Sequence, residues 1–290
     1  MPELPEVETM RRNIERHLLD KEIVAISVSL PKLLRDSPIP TLDPLIGQRI
    51  VRAGRRAKVL ILEASGGLTL LMHCKLAGQI AILLPDGGRT VAGHPVPRPT
   101  GEYPHKATHI RFDFADGSIL YYSDIRQFGW LRLMPTKDVP EAIDAFGFGP
   151  EGWGMELDRA PLEAAMQRRG IPIKTLLLDQ AFIAGLGNIY VDETLHAARV
   201  HPARPASSLT AAEREAILRY VPWSLEEGIK QGGATIVHSK AYPIDHFPAV
   251  HGREGEPCFT CGTPIRKTRV GQRGTYFCPT CQPEGVRTGE

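Results

Sequence analysis

The chain has 290 residues, 42% of them hydrophobic, and a formal net charge of +2 at pH 7. That apolar share excludes a disordered chain, and the near-neutral balance gives no bulk argument for a polyanionic partner. No apolar run reaches the roughly 18 residues of a membrane helix, and the acidic opening Met-Pro-Glu-Leu-Pro-Glu is not a secretion signal, so a cytoplasmic protein without membrane contact is expected.

Residues 3–19 read as a helix, because Val7, Met10, Ile14 and Leu18 recur at helical spacing with charge opposite. A β-rich region follows, with strands expected at 23–30, 56–63, 68–74, 79–84, 109–114, 118–123 and 129–134. Asp116-Gly117 between two of them is a hairpin signal. Many short strands point to an antiparallel β-sandwich over residues 1–134. The Pro- and Gly-rich stretch 85–104 reads as a loop, and 135–154 as a linker.

Beyond the linker the pattern turns helical, over 157–169, 173–182, 189–198 and 210–231. Thr210 with Glu213 three residues later forms a capping-box signal. A glycine-bearing turn, Ile183-Ala-Gly-Leu-Gly-Asn188, separates two of these helices. Backbone N–H groups at a helix start, with the Asn amide, suit a phosphate; a tight helix–helix connection is the plainer alternative. The division expected is thus 1–134, linker 135–154, a helical domain 155–251, a metal hairpin 252–283 and a tail 284–290. The class is α+β.

Four of the five cysteines cluster near the end, as Cys258-x2-Cys261, sixteen residues, then Cys278-x2-Cys281. Two such pairs supply the four thiolates of a tetrahedral zinc, so one structural Zn²⁺ is expected. Such a closed site does no chemistry; it fixes a hairpin too small to fold alone. Cys74, inside an apolar run, reads as a small core residue. Arg266, Lys267, Arg269 and Arg273 leave the metal element positive even beside four thiolates and Zn²⁺. A second basic run holds Arg49, Arg52, Arg55, Arg56 and Lys58 without an acid. Either run reads equally as a phosphate contact or as a solvated face.

Loss of Met1 would leave Pro2 with a free secondary amine. An α-amine titrates near 8, against about 10.4 for lysine. Attack by such an amine on a sugar C1′ gives an iminium, an electron sink for β-elimination at the 3′-phosphate. Glu3 beside it can move protons. Taken alone, Met-Pro-Glu is a common start and an ordinary helix N-terminus is the simpler reading.

Six segments together resemble the formamidopyrimidine-DNA glycosylase and endonuclease VIII family. They are Pro2-Glu-Leu-Pro-Glu-Val-Glu-Thr9, Arg55-Arg-Ala-Lys58, Asp124-Ile-Arg-Gln-Phe-Gly129, Ala184-Gly-Leu-Gly-Asn-Ile-Tyr190, Gly255-Glu-Pro-Cys258 and Gln272-Arg-Gly-Thr-Tyr-Phe-Cys278, in the family's order across nearly the whole chain. The resemblance implies a base-excision-repair enzyme, a DNA glycosylase and abasic-site lyase. Its helical domain would carry a helix-two-turn-helix motif, and it would act as a monomer on damaged double-stranded DNA at the nucleoid. Pro2 matches the nucleophile, Glu3 the acid/base, Lys58 a lysine acting near the damaged base or its phosphate, and Glu6 a supporting acid. Lys174, Asn188, Arg273 and His73 match phosphate-gripping positions. Leu76, Arg126 and Phe128 match the three side chains inserted where the damaged nucleotide is flipped out.

Two departures bear on specificity. The family usually has Gly and Met where this chain has Lys75 and Leu76. Residues 232–252 are shorter than the loop that closes over a flipped purine in typical 8-oxoguanine enzymes. Endonuclease VIII-like pyrimidine or other adduct specificity, and a catalytically inert zinc-dependent DNA binder, are the alternatives.

Overall fold

The first helix forms where the sequence periodicity puts it. In the computed structural model, which describes residues 2–233 and 246–285, α1 spans Leu4–Leu18. Val7, Met10, Ile14 and Leu18 are all buried in one core, each contributing about 1.5–3 kcal/mol of apolar burial. That core is shared by two antiparallel sheets. Strands β1 (Ile23–Val28), β2 (Ile50–Arg56), β3 (Val59–Ala64), β4 (Leu68–His73), β5 (Gly78–Leu83), β6 (Arg89–Gly93), β7 (Thr108–Phe114), β8 (Ile119–Asp124) and β9 (Trp130–Pro135) build them. One sheet runs β1-β7-β8-β5-β6 and the other β2-β3-β4-β9. Leu62, Leu70 and Leu133 from one meet Ile80, Phe112 and Tyr122 from the other, which makes the expected sandwich. Asp116-Gly117 lies in the β7–β8 hairpin, as its turn chemistry requires.

Three expectations need correction. The strand expected at 56–63 is interrupted, because Ala57 has φ +51° and Ala57-Lys58 form a two-residue turn between paired Arg56 and Val59. The basic run before it is itself strand β2, held by β3 despite its polar sequence. The stretch 85–104 contains β6, an edge strand that β5 recruits through long-range pairing. The linker 135–154 contains a short helix, α2 (Val139–Asp144).

By contact pattern the chain divides into Met1–Phe146 with Gly232–Ala241, and Gly147–Gln231 with Tyr242–Glu290. The second unit holds α3 (Arg159–Arg168), α4 (Ile173–Leu178), α5 (Asn188–Ala197) and α6 (Ala211–Lys230). Helix α4 is shorter than expected, because Asp179 turns the chain by accepting the Ala181 N–H at 3.0 Å. Helix α6 starts at the predicted capping box: Thr210 accepts from the Glu213 N–H at 3.2 Å. Every residue of α5 from Ile189 to His196 is buried, so this helix is the axis of the unit. Strands β10 (Arg266–Val270) and β11 (Arg273–Phe277) form the hairpin between the two CxxC pairs. Of the described residues, no helix is long and apolar enough to cross a membrane.

Candidate functional site

In the first unit the site begins at the N-terminus of α1. Glu3 is the N-cap, with extended backbone, and forms a reciprocal capping box with Glu6. The Glu3 N–H donates to Glu6 Oε2 at 2.7 Å, and the Glu3 side chain accepts from the Glu6 N–H. Pro2, Glu3 and Glu6 are all buried. Two carboxyl groups at a helix N-terminus are favoured by the positive end of its dipole. The cap also fixes the backbone entering the helix, and so fixes where Pro2 stands. Met1 lies outside the described residues, and with it the expectation that it is removed.

The next turns of α1 are tied to β2. Glu8 bonds Arg11, Arg12 and Arg55, the last at 3.3 Å. Burial alone would raise the Glu8 pKa, but these guanidinium groups hold it below the usual carboxylate value. The tie brings the start of α1 to the end of β2 that leads into Lys58, which is 8% exposed. His73 pairs with Val59 across β3 and β4, and stacks on Trp130 with ring centroids 5.5 Å apart. Its Nδ1 accepts the Lys75 N–H at 2.9 Å, so its Nε2 carries the hydrogen. Burial, with Lys75 and Lys58 nearby, pushes the His73 pKa down to about 3, so the ring is a neutral donor. Cys74 is buried as expected of a core residue, and burial pushes its thiol up to about 12.

In the second unit the zinc-type cysteines converge. Their four Sγ atoms all lie within 4.8 Å of one another. Cys258–Cys281 is 3.9 Å, Cys261–Cys278 is 3.4 Å and Cys261–Cys281 is 3.6 Å. A tetrahedron with Zn–S bonds of about 2.3 Å has edges of roughly 3.8 Å, so this donor set fits one structural zinc. The hairpin closes on Gly271 and Gln272, both with positive φ (+53° and +61°), the signature of a type I′ turn. A Cβ on Gly271 would stand 2.6 Å from Thr175 Oγ1, so only glycine lets the tip approach α4 this closely.

The hairpin is fastened to α5 by charge. Lys174 Nζ donates to Asp192 Oδ1 at 2.6 Å and to the Gly274 carbonyl at 3.0 Å. Asp192 Oδ2 also accepts the Tyr276 N–H at 3.2 Å and stands 2.8 Å from His251 Nδ1. Asn188 Nδ2 donates to the same Gly274 carbonyl at 2.9 Å. Glu193 accepts the N–H groups of Ala249, Val250 and His251 at 2.6, 3.0 and 2.8 Å. Burial pushes the Glu193 pKa up, with those three donors pulling the other way. Lys174 is fully buried, and its ammonium serves the hairpin, where a phosphate grip was expected from the resemblance. Arg273, at the start of β11, is exposed and has no recorded ion pair among the described residues.

Three family models match successive parts of this chain: the formamidopyrimidine-DNA glycosylase N-terminal domain over residues 1–131, its H2TH domain over 148–240, and a zinc finger found in FPG and IleRS over 255–283. The formamidopyrimidine-DNA glycosylase of Pelotomaculum thermopropionicum is 38% identical over 97% of this chain and 99% of its own length. That of Bacillus cereus is 38% identical over 98% and 99%. The chain belongs to the formamidopyrimidine-DNA glycosylase family. It is also similar in structure to the Lactococcus lactis enzyme in complex with FAPY-dG containing DNA, with a TM-score of 0.83 and 32% identity over 97% of this chain and all of the other. A MutM in complex with carbocyclic 8-oxo-G containing DNA gives a TM-score of 0.81 at the same identity and coverage of 97% and 99%.

The three side chains expected to fill a flipped-out nucleotide's place sit on two turns of the first unit. Leu76 is half-buried in the β4–β5 turn, beside exposed Lys75 at φ +44°. Arg126 and Phe128 stand between β8 and β9, where buried Asp124 accepts the Arg126 N–H at 3.0 Å and the Gly129 N–H at 2.7 Å. Phe128 is 54% exposed, with the Arg126 guanidinium 5.1 Å over its ring. An aromatic left this open contributes little to the core. Gly129 is required there, because a Cβ would collide with the Tyr122 hydroxyl. The residues that sequence reasoning missed are Asp124, Asp192 and Glu193. The last two left a signal: adjacent acids in an otherwise apolar helix ask for buried partners.

Proposed function

We propose that this chain excises damaged bases from duplex DNA and cuts the strand at the resulting site, with Pro2 as nucleophile. The observation that carries the reading is the N-terminus of α1, where buried Glu3 and Glu6 cap each other and fix the residue that would bear the amine. The Pro2 nitrogen attacks C1′ of the extruded deoxyribose, and the C1′–base bond breaks with its electron pair leaving on the base. The departing base takes a proton, for which Lys58 is the assigned donor. Glu3 moves protons at the sugar as the ring opens and the iminium forms. Loss of a C2′ proton then expels the 3′-phosphate, and a second elimination expels the 5′-phosphate.

Leu76, Arg126 and Phe128 are assigned to fill the space the extruded nucleotide leaves. Replacing lost stacking is worth roughly a few kcal/mol per step. Arg273, Asn188 and the neutral Nε2–H of His73 are assigned to phosphates. Lys174 is assigned to hold the hairpin that presents Arg273. Zinc, when bound, cross-links that hairpin and supplies no chemistry. The substrate class is oxidised or ring-opened purine, the lesions in the DNA complexes of its structural relatives. The enzyme works as a monomer at the nucleoid. The shortened interval 232–252, most of which lies outside the described residues, widens the lesion range towards oxidised pyrimidines.

Duplexes carrying single FAPY-dG, 8-oxoguanine, thymine glycol or abasic sites test the reading. Release of base with strand nicking is expected on the purine lesions first. Binding without base release or nicking on every duplex would establish the inert DNA binder instead. Faster release of thymine glycol than of either purine would move the substrate class to pyrimidines.

A further inference from the structure

Helix α5 presents Asn188, Asp192 and His196 at four-residue intervals, along one face. The first two bond the hairpin, as described. The third reaches the metal site: His196 Nε2 stands 3.6 Å from Cys258 Sγ. Both are buried, His196 at 9% exposure and Cys258 at 2%. The distance suits an N–H···S hydrogen bond and is too long for anything closer. His196 is also absent from the compact set of four donors, which already completes a tetrahedron. It therefore stands outside the coordination sphere, against one ligand.

A zinc held by four thiolates carries a net charge of about −2, and a buried thiolate needs hydrogen-bond donors. Cys278 Sγ has the Cys281 N–H at 3.4 Å. For Cys258 Sγ, the only non-sulfur partner recorded among the described residues is His196. A cleft of about 330 Å³, lined by His196, Cys281, Trp223 and Phe259, brings solvent to this side of the cluster. Cys258 is not among the residues lining that cleft, whereas His196 is.

We propose that His196 is an outer-sphere donor to the zinc centre, its Nε2–H bonding the Cys258 thiolate and slowing loss of the metal. The proposal rests on the zinc reading. Elemental analysis of the purified full chain tests that reading separately, with one zinc per chain expected and none contradicting it and the proposal together. In the zinc-loaded full-length protein, long-range ¹H–¹⁵N correlation is expected to show a hydrogen on His196 Nε2. An unprotonated Nε2 overturns the proposal. Transfer of zinc to a chromogenic chelator is expected to be roughly tenfold faster or more for His196→Phe, the scale on which outer-shell partners act. His196→Gln, which keeps an N–H donor, is expected to fall between the two. Equal rates for wild type and His196→Phe overturn the proposal. Should His196→Phe fail to fold, the protonation state of the wild-type ring decides alone.

Discussion

Two basic runs of similar density meet opposite fates in this fold. In the first, Arg49 pairs with Glu22 at 3.7 Å, Arg52 with Glu63 at 2.6 Å and Arg55 with Glu8 at 3.3 Å. Strand β2 lies between α1 and β3, and both present acids to it. In the second, Lys267 reaches Glu254 at 3.7 Å, while Arg266, Arg269 and Arg273 are exposed with no ion pair recorded among the described residues. The hairpin is two strands with no sheet beside it, and among the described residues Lys267 alone of its four bases meets an acid. A charge run therefore names a polyanion contact only where the fold leaves it unanswered. The answered run serves stability and position; the unanswered one is left open to a polyanion.

The sharpest way to break this comparison is to remove the element that carries the second run. Stripping zinc, or Cys278→Ser, should unfold the hairpin, since the metal supplies its folding energy. Duplex affinity should then fall roughly a hundredfold or more, by loss of several phosphate contacts at once. The sandwich should keep its own unfolding transition. Fluorescence anisotropy with labelled duplex, alongside circular dichroism, measures both.

Next in size is Asp192→Ala. It takes from the buried Lys174 ammonium its carboxylate partner, at a cost of about 3–5 kcal/mol, while Lys174→Met with Asp192→Leu should recover part of that. Denaturant midpoints of the single and double variants decide whether the pair holds the hairpin as an ion pair.

Arg273→Ala sharpens the contrast between the runs directly. It should weaken duplex binding by roughly tenfold and lower the slope of log K against log salt by about one. Arg52→Ala should change neither by more than about a factor of two. Equal losses from both would erase the distinction.

A further effect is in pH. The folded-state pKa of His73 is pushed down to about 3, from an ordinary value of 6.5. Between those values the unfolded chain binds a proton that the folded chain refuses. This contribution to stability is thus complete above pH 6.5 and is lost as pH falls towards 3. His73→Gln should show a flatter decline of its urea midpoint over pH 6.5–4 than wild type does.

What the sequence disclosed was mostly local. The periodicity of α1, the Asp-Gly hairpin and the Thr210 capping box depend on residues a few positions apart, and each formed as read. The two missed strands depend on distant partners. Polar β2 is a strand because β3 pairs with it, and β6 because β5 does. The four-cysteine site was legible because two local pairs each announce themselves by spacing. The site residues divide in the same way. Glu3 and Glu6 stand three residues apart and cap each other locally, whereas the amine chemistry of Pro2 was one of two readings of Met-Pro-Glu until the family resemblance favoured it. Lys174 could not be read as buried, because Asp192 is eighteen residues away and the Gly274 carbonyl a hundred. His196 bonds a cysteine 62 residues on, and no periodicity connects them.

The proposed chemistry needs a free secondary amine at the start of the mature chain. Borohydride trapping on an abasic oligonucleotide, followed by peptide mapping of the covalent adduct, tests it directly. The predicted result is a single cross-link on Pro2, with no initiator methionine ahead of it and no adduct from Pro2→Gly or an N-terminally blocked chain. A cross-link mapped to Lys58 or any other residue, or a native N-terminus that still carries Met1, would contradict it.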